Sequence, residues 1–277
     1  MPDADLRKTV GWIGAGAIGL PMLQRLVGAG HRVVACDKAP EQLAQLQEAG
    51  IPTVGSGAEA ARTADVVVLN LPDLHAVSET VFGPEGCVAG GMAGKLLIDT
   101  SSIDPVATGD LAARLAGEAR GRWVDAPISG GVRAAEEGAL VAFIGGADGD
   151  VADAEPLIAC FADRRSHLGP VGAGQWAKLV NQAIVCGSIA LWSDALALAR
   201  AGGLDAPKLV EALAGSGADS RIRAAFGPGI ATEDYVPSRN LAKDIAAVQL
   251  RSRESGQNSL LFENAGQILA AMRARQC

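Results

Sequence analysis

The segment from Thr9 to Val27 constrains the fold of this chain more than any other. Thr9–Ile13 is a short β-prone run, the glycine-rich turn GAGAIG follows it, and a helical pattern of apolar residues comes next. In such a unit the first glycine permits a tight turn, the second lets the backbone approach a pyrophosphate, and the third lets the helix pack closely. The pattern predicts a dinucleotide site that includes Gly14, Gly16, Ala17, Ile18 and Gly19.

A second predicted strand, Arg32 to Cys36, ends in Asp37. The glycine motif alone is weak evidence, but an acidic residue roughly 20 positions after it completes the dinucleotide-binding pattern. Asp37 would accept hydrogen bonds from the ribose hydroxyls and repel a 2′-phosphate, which favours NAD over NADP. Lys38 weakens this preference, so NADP is kept as the alternative. Asp37 is also suited to cap a helix that begins at Pro40.

Strands and helices continue to alternate through the first half of the chain. Alternation of this kind predicts a parallel sheet that binds ligands beyond the carboxyl ends of its strands. Leu71, Pro72 and Ser102 follow two of these ends, so we predict that they lie near the cofactor; the Ser102 hydroxyl would equally suit a helix cap. The predicted strands are Val66–Asn70, Leu96–Asp99 and Arg122–Val124, and the predicted helices are Ser56–Arg62, Leu74–Phe82 and Pro105–Gly117.

The stretch from Gly172 to Arg200 reads as one helix without a proline. About 26 residues of helix extend roughly 39 Å, and apolar residues on nearly every side predict that it is buried. Lys178 interrupts this pattern beside Asn181 and Gln182. Burial of a lysine is costly, so Lys178 is a catalytic candidate. The alternatives are a membrane span, against which the polar residues argue, and a core helix whose lysine reaches water.

Strand signals end with Arg165–Leu168, and Gly169-Pro170 marks a boundary. The predicted fold is α/β, with an N-terminal Rossmann domain (1–169), a doubly wound parallel sheet, followed by an all-α C-terminal domain (170–277). The long helix links them, and the second domain would serve substrate binding and oligomerisation. Its other predicted helices are Ala206–Ala214, Ser220–Ala225, Asn240–Ser255 and Ser259–Arg275, separated by turns such as GSGADS and FGPG.

Charge and cysteine usage narrow the partners and the compartment. The net charge of −7 argues against binding to nucleic acid or to an anionic membrane, so the expected partner is a small molecule. Five scattered cysteines indicate neither a disulfide framework nor a zinc site, and no metal is expected. The N-terminus shows no apolar signal region, so we expect a cytoplasmic protein. The apolar helical half favours a homodimer or homotetramer.

Four stretches occur in an informative order: VGWIGAGAIGLPM from Val10, DAPISGG from Asp125, GAGQWAKLVNQ from Gly172 and LAKD from Leu241. Together they resemble the β-hydroxyacid dehydrogenase family, which includes 3-hydroxyisobutyrate dehydrogenase, tartronate semialdehyde reductase and 6-phosphogluconate dehydrogenase. The resemblance implies that Lys178 is the catalytic acid/base. It also implies that substrate is bound by Ser129, Gly130 and Gly131 and oriented by Asn181 or Gln182.

The same resemblance implies that Lys243 lies near the cofactor, although a solvated lysine fits its pattern as well. The Asn181-Gln182 pair is typical of the tartronate semialdehyde reductase branch, whereas other members often have two asparagines. Arg133 stands where a small residue is usual, and it would either shrink the pocket or anchor a carboxylate. Ser102 stands where threonine is usual.

These features predict an oxidoreductase that transfers a hydride between NAD and a small 3-hydroxy acid, similar to 3-hydroxyisobutyrate, giving a semialdehyde or keto acid. Neutral Lys178 would take the hydroxyl proton during oxidation, and its apolar surroundings should lower its pKa. One alternative is an NADPH-dependent reductase of small semialdehydes or imines. An alternative of another class is a regulator that binds NAD(H) without turnover.

Overall fold

The computed structural model describes residues 8–275, so the N-terminal segment and Cys277 lie outside the described residues. The chain forms two compact units, residues 1–178 and residues 179–277. The predicted domain boundary is Gly169-Pro170, whereas the two units divide between Lys178 and Leu179, inside one helix.

The first unit contains a five-stranded parallel sheet in the order β2-β1-β3-β4-β5. Side chains of β3 alternate between two apolar clusters, since Val66 and Val68 belong to one and Val67 and Leu69 to the other. Both faces of the sheet are therefore buried, which explains why its strands are almost continuously apolar. The strands are β1 (Thr9–Ile13), β2 (Arg32–Cys36), β3 (Val66–Leu69), β4 (Leu96–Asp99) and β5 (Arg122–Asp125).

Among the described residues, eight helices before the long helix connect or follow the strands. Several begin at side-chain caps, because Ser56, Asp73 and Asp104 each accept a hydrogen bond from a backbone N–H of the first turn. The helices are α1 (Gly19–Gly28), α2 (Pro40–Glu48), α3 (Gly57–Thr63), α4 (Leu74–Phe82), α5 (Cys87–Gly90), α6 (Pro105–Ala119), α7 (Gly131–Glu137) and α8 (Asp148–Ile158). The alternation confirms the predicted Rossmann-type architecture.

A second sheet of three strands was not predicted. Its strands are β6 (Ile128–Ser129), β7 (Leu140–Ile144) and β8 (Ala162–His167), with β6 antiparallel and β8 parallel to β7. The sequence of β8, ADRRSH, is mostly polar and carries little strand signal, which is why its prediction began three residues late. Asp125, at the end of β5, forms a bridge to Gly145 and so joins the two sheets.

The second unit is helical, as predicted. Its core is formed by apolar side chains from several helices, including Cys186, Ile189, Val210, Ile245 and Leu269. The long helix α9 (Ala173–Ala201) begins in the first unit and continues into the second. The remaining helices are α10 (Ala206–Ala212), α11 (Arg221–Ala231), α12 (Arg239–Glu254) and α13 (Leu260–Ala274).

The prediction of a turn at FGPG was wrong, because this segment lies inside α11. Its glycines serve helix packing instead of chain reversal. A Cβ atom on Gly227 would lie 3.0 Å from Val210 Cγ1, and one on Gly229 would lie 3.2 Å from Tyr235 Cβ. Tertiary packing therefore outweighs the local preference of glycine and proline for a turn.

The prediction that α9 is buried holds for one face of the helix and is wrong for another. Cys186, Ile189 and Leu196 are buried, but another face carries four exposed apolar side chains, which we call the α9 stripe. Its members are Val180 (57% exposed), Ile184 (63%), Leu191 (68%) and Leu198 (75%). Among the described residues, α9 has the length and hydropathy for a membrane span, a test that core helices of soluble proteins also pass.

Candidate active site

The glycine turn between β1 and α1 is closed on one side and open on the other. Gly14 has φ +97°, and a Cβ atom there would lie 2.2 Å from the carbonyl oxygen of Asn70. A Cβ atom on Gly19 would lie 2.2 Å from the carbonyl oxygen of Gly14, so neither position has room for a side chain. At Gly16, by contrast, an added Cβ atom would meet nothing within 4 Å.

This geometry fits a dinucleotide cofactor. Open space beside Gly16 lets a pyrophosphate approach the backbone, and the ten-residue helix α1 begins directly after the turn. Backbone N–H groups and the helix dipole favour an anion at such a helix N-terminus. Ala17 is exposed and Ile18 is half-buried at the same turn.

Asp37 connects the glycine turn to the start of α2. Its Oδ2 atom accepts a hydrogen bond from the Ala15 N–H at 2.7 Å, and its Oδ1 atom accepts one from the Ala39 N–H at 2.9 Å. The alternative of Asp37 as a helix cap is wrong, because Ala39 is the N-cap residue of α2 and no described side chain accepts a hydrogen bond from the first turn of that helix. Asp37 still has a structural task in addition to its predicted cofactor role.

The ends of β3 and β4 bring Leu71, Pro72 and Ser102 to adjacent loops. Ser101 Oγ accepts a hydrogen bond from the Leu71 N–H at 2.9 Å and so joins the two loops. Asn70 Nδ2 donates to Thr100 Oγ1 at 3.0 Å beside this bond. The alternative of Ser102 as a helix cap is wrong, because Asp104 accepts the N–H groups at the start of α6.

Two buried carboxyl groups stand at the ends of neighbouring strands, and the sequence analysis assigned neither to the site. Asp125 Oδ1 accepts from the Gly172 N–H at 2.7 Å, and Asp125 Oδ2 accepts from the Gln175 N–H at 2.9 Å. This carboxylate thus caps the N-terminus of α9. Burial raises the pKa of Asp125, and the bonds from Gly172 and Gln175 oppose that shift.

Asp99 pairs with Asp125 across the register of β4 and β5 and is fully buried. Burial raises the pKa of Asp99 to about 7, although a hydrogen bond from Ser101 favours the ionised form. Within the described part of the chain, its Oδ2 atom has no hydrogen-bond partner. The signal for both carboxyl groups was an aspartate closing an apolar strand.

Gln175, in the first turn of α9, is a third residue that the sequence analysis missed. Its side chain donates to the Ser101 carbonyl oxygen at 2.8 Å and accepts from the Ile103 N–H at 3.2 Å. Gln175 is 1% exposed. Lys178 follows three positions later and is half-buried on the same helix. The sequence signal was a glutamine within an otherwise apolar segment.

The predicted substrate turn also lies in the first unit. Ser129 ends β6 opposite Val141, and Gly130 and Gly131 have φ +141° and +77°. Both glycines therefore occupy backbone conformations that side chains disfavour. The Arg133 side chain is 88% exposed and pairs with Glu137 at 2.8 Å, so it does not fill a pocket in the first unit, and its role as a carboxylate anchor stays a prediction.

Asn181 and Gln182 form a short chain of amides in the second unit. Asn181 Nδ2 donates to Gln182 Oε1 at 2.8 Å, and Gln182 Nε2 donates to Asp244 of α12. The LAKD segment thus meets the Asn-Gln pair through Asp244. Lys243 is exposed on the same helix.

Other candidate sites can be compared with these. Across residues 8–275, no group of three or more His, Cys, Asp or Glu side chains is arranged to hold a metal ion. A surface groove of about 930 Å³ runs along α6 beside Trp123 and His167, and none of the predicted site residues lines it.

Comparison with known proteins decides the family. Residues 9–169 match the model of the NAD binding domain of 6-phosphogluconate dehydrogenase. Residues 172–277 match the model of the NAD-binding domain of NADP-dependent 3-hydroxyisobutyrate dehydrogenase. The chain belongs to the β-hydroxyacid dehydrogenase family.

Individual members of the family agree. Mitochondrial 3-hydroxyisobutyrate dehydrogenase of Homo sapiens is 32% identical over 280 residues, covering 97% of this chain and 83% of its own length. For 2-hydroxy-3-oxopropionate reductase of Escherichia coli (strain K12) the identity is 33% over 233 residues, with 84% and 79% covered. The solved 3-hydroxyisobutyrate dehydrogenase of Mycobacterium tuberculosis with L-serine is 28% identical, with a TM-score of 0.85 and coverage of 97% and 94%.

These relationships confirm the predicted reaction class of this β-hydroxyacid dehydrogenase. It is an NAD(P)-dependent oxidoreductase that acts on the CH–OH group of a hydroxy acid, and its fold is that of a soluble enzyme. The resemblance stated from four sequence stretches is confirmed over nearly the whole chain.

Proposed function

We propose that this enzyme reversibly oxidises a small 3-hydroxy acid, of the 3-hydroxyisobutyrate kind, to its semialdehyde or keto acid, with NAD preferred over NADP. One observation carries the proposal. The first turn of α9, which precedes Lys178, is hydrogen-bonded through Gln175 to the loop after β4, where a parallel sheet binds its ligand. An amine is thereby held close to the expected cofactor site.

In this proposal Lys178 is the acid/base. As a neutral amine it takes the hydroxyl proton of the substrate during oxidation, and as an ammonium group it returns that proton during reduction. Bound NAD(P) supplies the redox chemistry, accepting or donating the electron pair. Ser129, Gly130 and Gly131 bind the substrate carboxylate, an assignment supported by the motif and by the left-handed conformations of both glycines.

Asn181, rather than Gln182, orients the substrate in this proposal. Both ends of the Gln182 amide are engaged within the second unit, since the oxygen accepts from Asn181 and the nitrogen donates to Asp244. Gln182 therefore acts as a support that fixes the Asn181 side chain. Such a support suits a site that must hold its substrate in one orientation.

The cofactor contacts in this proposal come mainly from the first unit. The glycine turn binds the pyrophosphate and Asp37 binds the adenosine ribose; a 2′-phosphate would meet a carboxylate already held by two N–H groups. The LAKD motif supports Lys243 as a further contact. The division into a cofactor domain (1–169) and a helical substrate domain (170–277) is part of the proposal and is supported by the matched ranges. The remaining cofactor contacts in this proposal are Leu71, Pro72 and Ser102.

A spectrophotometric screen tests the substrate and cofactor together. Purified enzyme is offered 3-hydroxyisobutyrate, glycerate, serine, 3-hydroxypropionate, threonate and 4-hydroxybutyrate with NAD and with NADP. We expect the highest kcat/KM for a 3-hydroxy acid with NAD. NADH binding without turnover of any acid would instead indicate a regulator, and NADPH-dependent reduction of aldehydes or imines alone would indicate a reductase.

We also propose a homodimer or homotetramer that buries the α9 stripe. The stripe exposes four large apolar side chains on one helix face, and contiguous apolar surface of this kind marks interfaces. Symmetric pairing of two such helices would bury the stripe of both copies. We expect Ile184→Glu to reduce the mass found by light scattering, whereas Ala197→Glu, an exposed position on another side of α9, should not. A wild-type mass equal to one chain would refute the proposal.

The proposed location is the cytoplasm. The proposal rests on the five scattered cysteines of the sequence, whose spacing indicates no disulfide framework and so suits a reducing compartment. The Homo sapiens relative is named as mitochondrial, whereas the Escherichia coli relative comes from a bacterium. Fractionation of the source cells followed by immunoblotting checks the location, and recovery from an oxidising compartment would refute it.

A further inference from the structure

Gln175 is a buried polar residue whose side chain joins the first turn of α9 to the loop after β4. Its amide oxygen accepts from the Ile103 N–H, and its amide nitrogen donates to the Ser101 carbonyl oxygen. These two backbone groups flank Ser102, so one side chain pairs with both sides of this residue as a neighbouring strand would. Such two-point pairing fixes the path of the backbone as well as its distance.

Further hydrogen bonds connect the loop after β4 and the first turn of α9 to other strand ends. Ser101 Oγ accepts from the Leu71 N–H at 2.9 Å, which ties in the loop after β3. The backbone N–H of Gln175 donates to Asp125 Oδ2 at 2.9 Å, which ties in the end of β5. Gln175 therefore bonds directly to the loop after β4 and to the end of β5, and through Ser101 it is linked to the loop after β3.

This arrangement affects catalysis because it fixes the position of Lys178. Residues three positions apart lie on the same side of a helix, roughly 5–6 Å apart at Cβ. Any shift of the first turn of α9 relative to the Ser101–Ile103 segment therefore displaces Lys178 relative to that segment. A displacement of about 1 Å is enough to lower a catalytic rate by about 100-fold.

We propose that Gln175 is a positioning residue that holds the amine of Lys178 in register with the nicotinamide side of the bound cofactor. The inference rests on the proposed function, because it takes Lys178 as the acid/base and Ser102 as a cofactor contact. Gln175 acts through the loop and the helix, and touches neither substrate nor cofactor.

Two substitutions separate positioning from simple stability. Gln175→Met keeps similar volume and removes both hydrogen bonds. Gln175→Glu, once protonated, restores both, because its O–H can donate to Ser101 and its carbonyl oxygen can accept from Ile103. Burial raises the pKa of a carboxyl group, so protonation of this one should occur within the working range of the enzyme. Thr108→Val is the matched control, since Thr108 is buried in the same unit and the substitution removes its hydrogen bond from Oγ1 to the Asp104 carbonyl.

The measurements are kcat across pH, NADH affinity, and amide hydrogen exchange at Ile103. For Gln175→Met we expect kcat to fall about 30- to 100-fold at every pH, with NADH affinity within about 3-fold of wild type and faster Ile103 exchange. For Gln175→Glu, the ratio of its kcat to that of wild type should rise at least about 10-fold from about pH 9 to about pH 6. Thr108→Val should keep the wild-type kcat and Ile103 exchange.

Two different failures are distinguishable. Wild-type enzyme that turns over no hydroxy acid would overturn the proposed function, and the inference with it. An active wild type accompanied by a Gln175→Met variant of equal kcat would overturn the inference alone. So would a Gln175→Glu ratio that does not change with pH, or equal losses of kcat in Gln175→Met and Thr108→Val.

Discussion

Asp99 makes the stability of the first unit depend on pH, and replacing it with asparagine should remove that dependence. Its carboxyl group is fully buried, its pKa is raised from 3.8 to about 7 by burial, and Asp125 adds to the shift. Asparagine has nearly the same shape and keeps an oxygen that accepts from the Ser101 N–H, a bond of 2.9 Å in the structure. The asparagine side chain does not titrate, so the substitution removes only the titration of the Asp99 carboxyl group.

The sign follows from the raised pKa. Between the unfolded value of 3.8 and the folded value of about 7, the unfolded chain releases a proton that the folded chain retains, so stability falls as pH rises through this window. At about 1.4 kcal/mol per pKa unit, the full shift corresponds to roughly 4 kcal/mol. About one unit of it is already lost at pH 5, so between about pH 5 and about pH 8.5 roughly 2–3 kcal/mol remain to be lost.

Urea unfolding at the two pH values measures this directly, with tryptophan fluorescence as the signal, because Trp12 and Trp123 are buried in the same unit. The unfolding free energy of Asp99→Asn minus that of wild type should be roughly 2–3 kcal/mol larger at about pH 8.5 than at about pH 5. Asp110→Asn, which removes an exposed carboxylate from α6, is the control and should behave as wild type. Equal pH dependence in wild type and Asp99→Asn would refute the reasoning.

Three further predictions concern the site. Asp37→Ala should narrow the NAD/NADP ratio of kcat/KM by about 10-fold, because a carboxylate no longer opposes the 2′-phosphate; an unchanged ratio would count against this role. Asp125→Ala should lower the unfolding free energy by roughly 2–4 kcal/mol in urea titrations, because the buried N–H groups of Gly172 and Gln175 at the start of α9 lose their acceptor, and a loss below about 0.5 kcal/mol would contradict the capping role. Asn181→Ala should lower kcat/KM about 10-fold with little change in stability, whereas Gln182→Ala should mainly lower stability; the reverse pattern would assign the orienting role to Gln182.

Local sequence patterns predicted the parallel sheet well. The predictions of β1, β2 and α4 agree with the structure residue for residue, because each joins a regular apolar pattern to a clear turn or cap. The second sheet was missed because β6 and β8 depend on pairing with β7, and the sequence of β8 is mostly polar. The FGPG segment was misassigned because packing between helices, which local preference does not report, decides its conformation.

Prediction of the site was similarly uneven. The glycine turn, Asp37 and Lys178 stand out because their residue types are unusual for their surroundings. Asp99, Asp125 and Gln175 were missed because their importance depends on contacts between residues as many as 74 positions apart. The proposal that Asn181 rather than Gln182 orients the substrate also depends on the structure, because the sequence does not indicate the hydrogen bond between Gln182 and Asp244.

The central claim is that Lys178 carries the proton in a hydroxy-acid dehydrogenase, and a comparison of Lys178→Ala with wild type tests it most directly. NADH formation is measured with the best substrate of the screen, and NADH affinity is measured by fluorescence on both proteins. We expect kcat to fall by about 100-fold to 10,000-fold, the usual contribution of a general acid/base, while NADH still binds. Turnover at the wild-type rate by Lys178→Ala would contradict the account.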